Sequence, residues 1–242
     1  MSNKNQTVSV IGLGYIGLPT AALIATNGFM VNGMDVDVHA VKTINKGNIH
    51  IVEPDLDAYV RSAVINNKLK AHLTLQPADI YIICVPTPFF DDVDPPLPNL
   101  DYVKDAAENI SAHLKHGDMV ILESTSPVGT TKLIKSIFNK NGKDTTHISI
   151  AYCPERVLPG KIMAELVDNP RVIGGIDKNS TSNVCAFYKN FVNGVILETN
   201  SETAEMCKLT ENSFRDVNIA FANELSLICD KSNVNVSELI QL

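Results

Sequence analysis

The chain has 242 residues, enough for one large or two modest domains, and 45% of them are hydrophobic, which permits a buried core. Lys and Arg number 20 against 27 Asp and Glu, a net charge of -7 with no basic block to track a phosphate backbone, which argues against nucleic acid as a partner. The five cysteines (Cys84, Cys153, Cys185, Cys207 and Cys229) are odd in number, widely spaced and include no CxxC pair, which argues against a disulfide framework or a zinc site and favours a reducing cytoplasm.

The opening "MSNKNQTV" carries one Lys and leads into an apolar segment without a small-residue cleavage site, so no secretory leader is expected. No charged residue then occurs from Val8 to Met34, a run long enough to raise the question of a membrane span, which takes roughly 20 apolar residues. Gly12, Gly14, Gly17 and Pro19 interrupt it. The pattern reads instead as a buried strand, a glycine turn and a helix, with no membrane anchor.

Further along, short Val- and Ile-rich runs alternate with segments of helical period, the signature of βαβ units. Strands are predicted at 8–12, 30–35, 72–75, 80–85, 119–124, 148–153, 171–175 and 195–199, and helices at 15–27, 37–46, 54–66, 101–115, 129–140, 161–167 and 181–192. Almost wholly apolar strands belong in a sheet covered on both faces. From Ser201 the pattern becomes one long helix without Gly or Pro, followed by a second helix near "NVSELIQL". The expected fold is α/β, a Rossmann-like doubly wound parallel sheet over residues 1–200, followed by a long central helix and its sequel over 201–242.

Gly12, Gly14 and Gly17 form GxGxxG between the first strand and its helix, and Asp35 closes the second strand. The first glycine permits the tight turn, the second admits a pyrophosphate to the backbone, the third lets helix and strand approach, and the helix N-terminus offers N–H groups to the anion. Asp35 is suited to the adenine ribose hydroxyls and repels a 2′-phosphate, which favours NAD over NADP as cofactor. In "CVPTP", Thr87 lies just past the fourth strand and reads either as a cofactor contact or as the start of a proline-bounded loop. In "ESTSPVGTT", Thr125 follows a strand and Glu123 ends it; hydroxyls there can cap the next helix, whereas a buried acid needs a partner.

"YCPERVLPG" places Glu155 and Arg156 after another strand end, where they either pair with each other or with solvent, or face a polar ligand. Cys153 reads as a buried small hydrophobe rather than a nucleophile. Lys208, Asn212 and Arg215, spaced i, i+4 and i+7, share one helical stripe, either a solvated face or, since the stripe runs on into Ile219 and Ala222, a partly enclosed one that binds a ligand. The six histidines show no metal spacing, and no metal is expected.

The segments "GLGYIGLPTA", "CVPTP", "ESTSPVGTT", "AYCPERVLPG" and "TAEMCKLTENSFRDVNIAFANELSLIC" together resemble the UDP-glucose/GDP-mannose 6-dehydrogenase family, over nearly all of residues 7–242. That resemblance implies two NAD-dependent hydride transfers from C6 of a UDP-sugar, and a homodimer built on the helix after Ser201. It implies that Tyr15, Ile16, Asp35, Thr87 and Thr125 line the NAD site. Arg156, Val157, Lys208, Asn212 and Arg215 would touch the nucleotide-sugar. Lys208 would stabilise the alkoxide, Asn212 add a hydrogen bond, and Glu155 help activate the hydrolytic water. Many relatives carry a second Glu four residues after the position of Glu155; here it is Pro159. The resemblance also implies a cysteine nucleophile in a GGHC-type loop and a C-terminal sugar-nucleotide domain, and these 242 residues contain neither. The expectation is therefore an NAD domain with its central helix, which alone does not complete the oxidation. The alternative is a non-catalytic NAD-binding and dimerisation module from a split gene.

Overall fold

The computed structural model describes residues 5–91 and 93–242. Residues 1–4, part of the opening weighed as a leader, and Asp92, within the proline-rich loop after the fourth strand, lie outside the described residues. In chain order the elements are β1 (Thr7–Ile11), α1 (Gly17–Thr26), β2 (Met30–Met34), α2 (Val38–Ile44), α3 (Leu56–Ile65), β3 (Leu69–His72), β4 (Ile80–Ile83), α4 (Asp101–His113) and β5 (Met119–Leu122). They continue with α5 (Thr130–Lys140), β6 (Ser149–Tyr152), α6 (Ile162–Asp168), β7 (Arg171–Gly175), α7 (Lys178–Tyr188), β8 (Ile196–Asn200), α8 (Ser201–Lys231) and α9 (Val236–Gln241).

The eight strands of the described residues join one sheet in the order β3-β2-β1-β4-β5-β6-β7-β8. The first six strands follow the doubly wound order, which reverses direction between β1 and β4 and opens a crevice at their carboxyl ends. The fold is Rossmann-like, as the sequence pattern implies. One pairing departs from the all-parallel expectation: β7 runs antiparallel to β6, with Tyr152 opposite Gly174, and β8 is parallel to β7. The chain turns back at the carboxyl end of β6 instead of crossing over, and that register, continued past the strand, sets Arg171 level with Glu155. The third strand also starts earlier than 72–75. It begins at Leu69, opposite Val31 of β2, so His72 closes the strand rather than opening it.

Alternation along the strands feeds two apolar layers. Val8, Val10, Ile80 and Ile82 face α1, α3, α6 and α7, where Leu18, Ile24, Val60, Leu166 and Phe187 are buried. Tyr81, Ile83, Val120 and Leu122 face α4 and α5, against Val103, Ile110, Ile134 and Phe138, with Ala204 of α8 in the same layer. Asp37, Asp177 and Asn200 cap α2, α7 and α8 by accepting backbone N–H bonds from His39, Ser180 and Thr203. The remainder of α8 stands away from the sheet, with Phe214, Val217 and Phe221 each about two-thirds exposed. Among the described residues, no helix is long and apolar enough to cross a membrane.

Candidate functional site

A cleft of about 780 Å³ opens at the carboxyl ends of β1, β4 and β5 and runs from the β2 end to α8. Gly12, Gly14, Tyr15, Ile16, Asp35, Thr87 and Thr125 line one part of it, and Glu155, Val157 and Lys208 close the other. Tyr102, Asp105, Ala106 and Asn109 of α4 form a wall that the sequence did not reveal.

Gly12 has φ +87°, and a Cβ there would lie 2.7 Å from the Cys84 carbonyl oxygen. A Cβ on Gly17 would lie 1.8 Å from the Gly12 carbonyl oxygen, so the helix start touches the turn backbone to backbone. Gly14 differs: a Cβ there meets nothing within 4 Å, and its absence leaves open volume in front of α1. Helix α1 has neither a side-chain cap nor an acidic residue in its first turn, so its leading N–H groups are unclaimed by side chains. These features fit a pyrophosphate. Asp35 is held by the Leu13 and Asp37 N–H groups at 2.8 and 2.9 Å, one on each oxygen, which fixes its carboxylate at the cleft and leaves acceptor capacity on both oxygens.

The Thr87 hydroxyl donates to the Thr125 carbonyl at 2.6 Å, joining the two loops that flank the cleft. Beneath them Ser124 donates to the Val85 carbonyl at 2.7 Å. Glu123, the buried acid at the end of β5, accepts from Tyr188 Oη at 2.5 Å, Thr20 Oγ1 at 3.2 Å and Cys84 Sγ at 3.3 Å. Burial pushes its carboxyl above the ordinary range, while Arg171 pulls it partly back.

On the far side, the side chains of Glu155 and Arg156, read as either pairing with each other or with solvent or facing a polar ligand, do not pair with each other. Glu155 Oε2 instead bonds Arg171 Nη1 at 2.7 Å, and both side chains are almost fully buried. Burial acts to strip the Arg171 proton, but the adjoining Glu155 carboxylate outweighs it and holds the guanidinium charged. Arg156 turns away, its Nε donating to Glu211 Oε2 at 2.8 Å and Nη1 to the Pro170 carbonyl at 3.2 Å. Successive side chains of an extended loop point to opposite sides, which separates the two.

Lys208 Nζ donates to the Glu155 carbonyl at 2.6 Å, and burial lowers its pKa from the ordinary lysine value. Its two stripe-mates do not line the cleft: Asn212 accepts from Arg215 at 3.1 Å, and Arg215 is exposed. The structure thus brings Glu155, Val157 and Lys208 together and leaves Arg156, Asn212 and Arg215 outside.

Two carboxylates that the sequence did not single out hold this arrangement. Glu205, fully buried, accepts from the N–H groups of Gly129 (2.6 Å) and Thr131 (2.8 Å) and from the Thr131 hydroxyl (2.6 Å), locking the first turn of α8 onto the start of α5. Glu53 accepts from Gly160 and Ile162 N–H at 2.9 and 2.8 Å and so fixes the loop between Glu155 and α6. Burial pushes the Cys84 thiol well up, Cys153 up to about 12 and Cys185 up to about 11, so none of these three offers a thiolate. Among the described residues, no group of three or more His, Cys, Asp and Glu is placed to hold a metal ion.

Comparison with known proteins gives two family matches. Residues 6–192 match the NAD-binding domain, and residues 202–242 the central domain, of the UDP-glucose/GDP-mannose dehydrogenase family. A UDP-N-acetyl-D-mannosamine dehydrogenase of Yersinia pestis is 55% identical over 98% of the chain and 58% of its own length. An NDP-N-acetyl-D-galactosaminuronic acid dehydrogenase of Ralstonia nicotianae is 51% identical over 98% of the chain and 57% of its own length. Among solved structures, the UDP-D-ManNAc dehydrogenase of Pyrococcus horikoshii superposes with a TM-score of 0.90 at 41% identity, covering 97% of this chain and 56% of that one. The chain therefore spans little more than half the length of the relatives it matches.

Proposed function

The chain belongs to the UDP-glucose/GDP-mannose dehydrogenase family, and on that basis we propose that it forms the NAD-binding and central part of an enzyme that oxidises C6 of UDP-N-acetyl-D-mannosamine to the carboxylate for surface polysaccharide synthesis. NAD is the cofactor, and when bound it accepts hydride. Residues 1–200 are assigned to its binding and 201–242 to the central helix. The α1 start takes the pyrophosphate, Asp35 the adenine ribose hydroxyls, and Tyr15, Ile16, Thr87 and Thr125 the walls of the site. The observation that carries the reading is one continuous cleft with an anion-ready helix start in one part and Lys208 in another.

Lys208, an ammonium whose charge is made costly by burial, gains most when oxyanion character develops on C6 oxygen, and so stabilises the alkoxide. Asn212 adds a hydrogen bond from the same helix once Arg215 releases it to hold phosphate, and Val157 and Arg156 complete the sugar-nucleotide side. Glu155, oriented by Arg171, is the base for water. The enzyme is placed in the cytoplasm, and a second copy of the chain is proposed to cover the exposed side of α8. Calorimetric titration with NAD and NADP, run beside a turnover assay with UDP-N-acetyl-D-mannosamine, tests this. NAD binding with discrimination against NADP is expected; equal affinity for the two would remove the role given to Asp35.

A second reading, a non-catalytic NAD-binding and dimerisation module, is favoured by the protonated state of Cys84, Cys153 and Cys185. NAD binding without NADH production supports it. Two NADH per sugar from the chain alone would overturn it. UDP-N-acetylglucosamine and UDP-glucose, assayed in parallel, decide the sugar.

A further inference from the structure

Two carboxyls that line the cleft and the guanidinium behind them are nearly sealed from solvent: Glu123 is 2% exposed, Glu155 5% and Arg171 2%. Arg171 is committed to Glu155 through Nη1 at 2.7 Å and to the Leu166 carbonyl through Nη2 at 3.1 Å. Glu123 keeps three neutral partners, the hydroxyls of Tyr188 and Thr20 and the thiol of Cys84. They differ in kind from the partners of the other buried acids. Glu53 and Glu205 each meet two backbone N–H groups, which can only donate and therefore demand acceptor oxygens. Hydroxyls and thiols rotate and accept as well as donate, so the surroundings of Glu123 serve both its charged and its neutral form.

The other groups that face Glu123 do not compete with it for the proton. Burial raises Tyr188 and Cys84 well above their ordinary values and Cys153 to about 12, so all three stay protonated. Glu155 faces Arg171 at 2.7 Å. Lys208, across the cleft on α8, and Asp35, Asp105, Tyr15 and Tyr102 along its other walls are the remaining titratable groups that line it. Glu123 itself lines the cleft beside Cys84 and Thr125.

An oxidised nicotinamide dinucleotide carries one positive charge on its ring that the reduced form lacks. We infer that Glu123 is a redox-linked carboxyl, releasing its proton when the oxidised dinucleotide occupies the cleft and retaining it when the reduced form does. The inference rests on the dinucleotide binding in this cleft. A cation brought within about 4–6 Å makes a carboxyl roughly 10- to 1,000-fold more acidic, and a buried site with little water sits at the strong end of that range. Up to one proton therefore enters the floor of the cleft as the cofactor is reduced.

The test is calorimetric titration of the chain with NAD and with NADH, each in two buffers of equal pH and different ionisation enthalpy, which counts protons exchanged on binding. NAD is expected to release a fraction of a proton that NADH does not. Its affinity should rise with pH by up to about tenfold per unit below the Glu123 midpoint, while that of NADH stays flat. Glu123→Gln removes the difference, Lys208→Met preserves it, and Tyr188→Phe, which withdraws one donor from the carboxylate, moves the midpoint to higher pH. Equal proton counts for the two forms in the unaltered chain overturn the inference without recourse to any variant, as does a difference that survives Glu123→Gln. Failure of both forms to bind would instead overturn the assignment of the cleft to the dinucleotide.

Discussion

The sheet unit and the long helix obey different accounts of stability. Every residue of β4, β5, β6 and β7 is buried, and the layers on both sides are closed by helices of the same unit. In α8 the buried residues are Ser201, Ala204, Glu205 and Cys229. A helix of 31 residues extends about 46 Å at 1.5 Å per residue, much further than its anchored first turns. Its beginning belongs to the sheet unit by way of Glu205, and the rest displays an apolar side that this unit does not cover. Stability generated inside one layer packing thus supports a projecting element whose own packing is external.

The strongest way to break this division is Glu205→Ala. It strands the Gly129 and Thr131 N–H groups in a buried place, and the expected loss is about 3–5 kcal/mol in urea unfolding, with Lys208 losing its position in the cleft. Gly17→Ala attacks the sheet unit alone. A Cβ 1.8 Å from the Gly12 carbonyl oxygen forces the turn apart, with a cost of about 1–3 kcal/mol and loss of NAD binding by calorimetry while α8 stays helical by circular dichroism. Asp35→Asn leaves packing intact and is expected to weaken NAD by about tenfold while narrowing its advantage over NADP; an unchanged ratio would show that Asp35 does not read the ribose. The smallest stability effect falls on the projecting side. Phe214→Ser should shift monomer unfolding by no more than about 0.5 kcal/mol, yet weaken self-association in sedimentation, which sharpens the contrast between internal and external packing.

What the sequence disclosed follows the same line. The strands were legible because a sheet covered on both faces demands unbroken Val and Ile, and the nucleotide turn because its three glycines answer to backbone geometry within six residues. The start of β3 was misplaced because "LKAH" is a strand only by its pairing with β2, which no local pattern encodes. The site was less legible wherever a partner lies far along the chain. Glu53 meets Ile162 across 109 positions and Glu205 meets Thr131 across 74. Arg171 carried one clue, a charge at the edge of the apolar run "RVIGG", but its pairing with Glu155 depends on an antiparallel return that composition does not announce. Arg156 shows the converse: adjacency to Glu155 left a pairing of the two open, and the alternation of an extended loop excludes it.

The carboxylates at the helix starts have one further consequence. Asp37 and Asp177 serve α2 and α7, Asp57, Asp101, Glu202 and Glu238 lie in the first turns of α3, α4, α8 and α9, and Glu205 and Glu53 reach α5 and α6 from elsewhere. Among the described residues, α1 alone begins without an acid of the protein's own. Each of the other starts already has a resident anion, worth about 0.3–1 kcal/mol to its helix and repulsive to a phosphate. The domain thereby directs a dinucleotide to a single address by occupying the rival ones itself, and the phosphates of any second nucleotide must be gripped by side chains rather than by helix ends.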